Sequence, residues 1–141
     1  MIAQLWRTVC VVSLVGLTPT AIGCGFCVED KIAVVYDHAV VMRALERKHH
    51  IAFFALEGVA GHQQSAHRSY EIIAEATFGV DKDSARVSLE SASLSLSFDP
   101  TRTSVANVER MLSRKMASRG VSIAILRVMD KPAEIKAVTQ R

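Results

Sequence analysis

Two cysteines separated by two residues, Cys24-Gly-Phe-Cys27, are the side chains here most able to do chemistry. A C-x-x-C turn lets two sulfurs converge on one ion, and linear Cu(I) needs only two such ligands, whereas Zn²⁺ requires two more. The same pair could instead cycle between thiols and disulfide, because a thiolate at Cys27 would be favoured at a helix N-terminus. Imidazoles are the other candidate donors. His62 and His67 lie close together in the chain, but a spacing of five does not place them on one helical face. They read as solvent-facing. His49-His50 reads as a polar helix exit, His38 as a helix-surface residue beside Asp37, and Asp81, Asp83 and Glu90 as solvated acids near a turn. No Gly-rich phosphate loop, Gly-x-Ser-x-Gly or His-Glu-x-x-His is present, so neither hydrolysis nor any other catalysis is expected.

The cysteine pair follows a stretch with the features of an export leader. Met1–Gly23 has Arg7 in its polar start, an apolar run from Val9 to Leu17, and small residues, Ala21 and Gly23, at the positions a signal peptidase prefers. The run is shorter than the roughly 20 residues a membrane span needs. Ala21-Ile22-Gly23-Cys24 also resembles the lipobox of bacterial lipoproteins, with Ala where Leu is usual. That resemblance implies a diacylated Cys24 and leaves Cys27 alone. The expected location is outside the cytoplasm of a bacterium, periplasmic or lipid-anchored. Cys10 would leave with the leader.

What remains is enough for one domain. Of 141 residues, half are apolar and 22% are charged, which supports a packed core. The formal charge of +3 becomes +2 without Arg7, too weak and dispersed to favour nucleic acid or an anionic membrane.

The elements follow from periodicity. Val28 to about Lys48 predicts one helix, acidic at its start (Glu29, Asp30) and basic near its end (Arg43, Arg47, Lys48), with an apolar stripe of Val28, Ile32, Val35, Ala39 and Met42. His50–Leu56 is apolar on both alternating sets and predicts a strand covered on both faces. Gln64 to about Thr77 predicts a helix with Tyr70, Ile73, Ala74 and Thr77 inward. Ala85–Leu89 and Leu94–Phe98 predict two strands joined by a short turn, the second with apolar residues on one face and only serines on the other. Ser104–Arg119 predicts a helix stopped by Gly120, and Val121–Val128 a last strand.

After the first helix the order is β-α-β-β-α-β. The fold class is therefore α+β, a ferredoxin-like antiparallel sheet with an extra N-terminal helix. That helix is expected to cover the sheet's open face and to meet Phe54. The divisions are 1–23 (leader), 24–49 (Cys-x-x-Cys segment and helix), 50–130 (the ferredoxin-like region) and 131–141 (polar tail).

Within this order, Gly58-Val59 after the first strand, Gly79-Val80 before the second and Phe98-Asp99-Pro100 closing the third resemble the heavy-metal-associated domain family of copper chaperones and metal-pumping ATPases. The likeness spans His50–Asp130. It implies a metal ion as ligand, Cu(I) or Zn, and a membrane-bound metal transporter or another exported protein as partner. The family's own Met-x-Cys-x-x-Cys loop is not kept, since its cysteines fall on Gly61 and Gln64. The metal site expected here is the displaced pair, Cys24 and Cys27. Two other readings stay open: a ligand-free interaction module or lipoprotein on the same fold, and a thiol–disulfide protein. The Cys-Gly-Phe-Cys tetrapeptide resembles that of thioredoxin-like isomerases but lacks their preceding strand and facing proline.

Overall fold

The computed structural model describes residues 27–132. The predicted leader, Cys24 and most of the polar tail lie outside that range. Nine elements follow one another: α1 (Val28–Val35), α2 (His38–Glu46), β1 (His50–Glu57), a 3₁₀ turn (Gln64–Ala66), α3 (His67–Glu75), β2 (Arg86–Ser88), β3 (Ser93–Phe98), α4 (Val105–Ala117) and β4 (Ser122–Met129). The four strands form one sheet in the order β2-β3-β1-β4, with every pairing antiparallel. The expected α+β, ferredoxin-like sheet is the fold.

The sheet is covered on both faces, so β1 contributes to two cores. Ala52, Phe54 and Leu56 pack with Tyr70, Ala74, Val108, Leu112 and Met116 of α3 and α4. Ile51 and Phe53 pack with Ile32 and Val35 of α1 and Val41 and Ala44 of α2. An N-terminal helical layer does cover the open face, but Phe53 meets it and Phe54 faces the other way. Alternation separates the two phenylalanines, as their two cores do. It carries no information about which helix stands on which side.

The predicted single helix is two. Its break lies at Tyr36-Asp37, where both backbones are extended. Asp37 accepts a hydrogen bond from the Val40 N–H at 3.1 Å, a side-chain N-cap that starts α2 afresh. The same carboxylate takes the Arg86 guanidinium at 2.9 Å, which fixes the break against β2. A new start resets helical phase. Ile32 and Val35 are buried before the break and Val40, Val41 and Ala44 after it, while Ala39 is exposed and Met42 is 39% exposed.

The serine face of β3 is where α1 rests. Ser95 donates its hydroxyl to the Val35 carbonyl at 2.6 Å, satisfying one of the acceptors left over at a helix end. Ser97 donates to Asp81 at 2.6 Å, and Asp81 also holds His49 Nδ1 at 2.9 Å. Neither Asp81 nor His49 is the solvated group the sequence suggests. Together they tie the exit of α2 to β3.

The Asp37 carboxyl is held below its ordinary range, first by the Val40 N–H and then by Arg86, against the opposing effect of burial. A group with a depressed folded pKa stabilises the fold above its unfolded pKa and loses that contribution as pH falls through the folded value. Asp37→Asn keeps a capping oxygen and removes the charge. Wild type should therefore exceed this variant in stability at neutral pH, and urea titrations should show the gap closing below about pH 4. A gap of constant size down to pH 3 would contradict this role for Asp37.

Candidate metal centre

Cys27 is the residue before the first turn of α1, with an extended backbone (φ −73°, ψ 169°) and an exposed side chain. Asp30, one turn on, accepts both the Cys27 N–H at 3.3 Å and the Cys27 thiol at 3.1 Å. This is the reciprocal geometry of a helix start, with a carboxylate reaching back over the first turn. The start is fastened to the sheet by an ion pair between Glu29 and Arg127 of β4, in which the guanidinium holds the Glu29 carboxyl below its usual range. Cys24 lies outside the described residues.

Arg127, which anchors the start of α1, lies well back along the sheet from the loop that follows β1. Arg127 stands opposite Phe53, four residues before the end of β1 at Glu57. At about 3.3 Å per residue that is roughly 13 Å along the strand. The loop leaves β1 at Gly58. Gly61 and Gln64 are exposed there.

The histidines near this loop are engaged separately. His62 places Nδ1 2.5 Å from the buried Tyr70 hydroxyl, with the two rings stacked at 5.9 Å. His67 donates Nδ1–H to the Gln64 carbonyl at 2.8 Å. Each ring thus commits one nitrogen to its own local partner, and neither is fully solvent-facing as the sequence suggests. His38 is exposed at the first position of α2. No group of three or more His, Cys, Asp or Glu side chains among the described residues is arranged to hold a metal. Cys27 is the one cysteine among the described residues, so any second thiolate beside it has to come from elsewhere in the chain or from another molecule.

A groove of about 470 Å³ lies at the α1–α2 break, lined by Tyr36, Asp37, His38, Glu71 and Arg86 together with three valines. Its signal in the sequence is Asp37, an N-cap residue type inside an otherwise helical pattern. Glu71 is a second residue that sequence reasoning missed. It is buried, pairs with Arg68 at 3.1 Å and accepts the Val87 N–H at 3.3 Å.

No family model matches the chain, and no curated protein sequence does. Solved structures are similar to it over about half its length. One is a copper-binding domain from a P-type ATPase, at 19% identity and a TM-score of 0.46, covering 56% of this chain and 96% of that one. Another is oxidized MerP from Ralstonia metallidurans CH34, at 18% identity and a TM-score of 0.43, covering 55% and 96%. A third is the N-terminal domain of a potential copper-translocating P-type ATPase from Bacillus subtilis in its Cu(I)-loaded state, at 17% identity and a TM-score of 0.45, covering 59% and 94%.

Proposed function

We propose that this chain is an exported, non-catalytic metal-binding protein that holds or passes a soft ion, Cu(I) or Zn, through Cys24 and Cys27. The observation that carries the reading is the placement of Cys27. Its sulfur is exposed at the start of a helix that is itself anchored to the sheet. A donor of this kind can take up an ion and hand it on, because nothing has to unfold to expose it. Cys24, three residues earlier, is the nearest second sulfur, and two thiolates complete a linear Cu(I) site. Zn²⁺ would need two further ligands, which a recipient protein could supply. That recipient is a membrane-bound metal transporter or another exported protein.

The test compares the purified protein with its Cys24→Ser/Cys27→Ser variant. Competition against a chromogenic Cu(I) chelator should show affinity falling by about 100-fold or more, roughly 2.8 kcal/mol, in the variant. Native mass spectrometry should show Zn²⁺ retention lost in the same way. His62→Ala/His67→Ala should leave both unchanged. Equal affinities for wild type and the cysteine variant would refute the proposal, as would a diacyl group on Cys24 in the intact mass.

A further inference from the structure

The two edges of the sheet are finished differently. Leu56 of β1 donates its N–H to the Ala92 carbonyl at 2.8 Å, on the side of β3. Alternation then turns the backbone groups of Ile51, Phe53, Ala55 and Glu57 toward β4. Their register partners Met129, Arg127, Ala124 and Ser122 point inward, which leaves Ile123, Ile125 and Val128 directing N–H and C=O away from the sheet. The same alternation, carried through β3, directs Ala85 and Val87 outward at the opposite edge.

At the β2 edge those outward groups are closed off. The Val87 N–H donates to Glu71 and the Ala85 N–H to Glu75, both at 3.3 Å. Two carboxylates of α3 stand where the carbonyls of a further strand would stand. On β4, no backbone or side-chain group of the described residues bonds the outward groups of Ile123, Ile125 or Val128. Ile125 is 36% and Val128 37% exposed, and β4 is an eight-residue strand. Its one charged residue, Arg127, is held by Glu29. A register shift opposite Phe53/Phe54 bends the second half of the strand, a device that discourages pairing there. The first half, Ser122–Ile125, has no such device.

We propose that this half-strand pairs with its counterpart in a second copy of the chain, antiparallel and with the two-fold axis at Ala124. Under that symmetry Ile123 faces Ile125 of the other copy and the reverse, so four backbone hydrogen bonds join the sheets into one of eight strands. The segment is its own complement. Both outward-bonding residues find outward-bonding partners, and no charge meets a like charge. A self-pair also brings the two residues on the axis to about 4.5 Å between Cα atoms, the closest approach in an antiparallel ladder. The residue at that point is an exposed alanine, small enough for it. This interface stands apart from the metal reading, because it uses neither cysteine.

Sedimentation velocity on the purified protein, with and without a chelator, tests it. The wild type should double in mass as concentration rises, with or without metal and also as Cys24→Ser/Cys27→Ser. Ile125→Pro removes an N–H that no bond among the described residues uses, and proline is tolerated on an edge strand. Ala124→Lys sets two like charges face to face on the axis. Each variant should keep the circular dichroism of the wild type and weaken the dimer by about tenfold or more, roughly 1.4 kcal/mol. Should Ile125→Pro fail to fold, Ala124→Lys decides alone. A wild type that stays monomeric at the highest concentration, or a dimer that survives Ala124→Lys, overturns the proposal.

Discussion

Truncating Phe53 to alanine is expected to lower the free energy of unfolding by about 3–5 kcal/mol, among the largest effects of any single change in this protein. Phe53 has no exposed surface and lies in the central strand, between β3 and β4. It is the largest member of the smaller core, whose other buried residues are Ile32, Val35, Val41, Ala44 and Ile51. With a strand as the floor and two short helices as the roof, little can move in to fill the space the ring leaves. The cavity term therefore adds to the lost transfer energy. Urea denaturation measures the total. Hydrogen exchange locates it, since α1 and α2 should lose protection before α3 and α4. Phe54→Ala should cost a similar amount and loosen α3 and α4 instead. A cost below about 1 kcal/mol for Phe53→Ala would mean that the N-terminal helices are not seated on the sheet.

Gly58→Ala is the second large effect. The residue has φ +88°, and a Cβ built on it would lie 2.3 Å from the carbonyl oxygen of Gly120. The obstacle is backbone, at the end of α4, and it is held in place. Val121 donates its N–H to Met116 at 3.2 Å and leads directly into β4. Relief of the clash must shift either the exit of β1 or the entry of β4. Gly61 provides a control in the same loop, with φ +84° and open space around the added carbon. Gly61→Ala should cost only the left-handed backbone penalty, about 1–2 kcal/mol. Gly58→Ala should cost about 2–4 kcal/mol, the clash being added to that strain. Equal destabilisation by the two substitutions, read from chemical denaturation midpoints, would show that the close approach of Gly58 to Gly120 carries no energy.

Much of this architecture is legible in the residues themselves. The alternation in β1 and β3 and the helical spacing in α3 and α4 are local patterns, each set by how successive side chains project from a regular backbone. Four strands and the two helices of the larger core follow from them, and so does the expectation that something must cover the second face of β1. The candidate site is legible in part. The spacing of Cys24 and Cys27 is plain. That the Cys27 sulfur is exposed and bonded to Asp30 is a fact of three dimensions.

The residues misread or missed in the sequence share one property: their partners are far away along the chain. Asp37 looks like a helix-interior acid until Arg86, 49 residues on, holds it at a break. His49 looks like a solvated exit until Asp81, 32 residues on, takes its ring nitrogen. Glu71, inside the predicted Gln64–Thr77 helix, gives no sign of its partner, the Val87 N–H 16 residues on at the edge of β2. Which residues alternate, which recur each helical turn and where glycine must bend the chain can be read directly, because those are properties of neighbours. Which face Phe53 meets, where the N-terminal helix divides and which sheet edge stays open among the described residues are tertiary outcomes. Those outcomes depend on how elements from distant parts of the chain dock, and no local periodicity encodes the side on which a neighbour arrives.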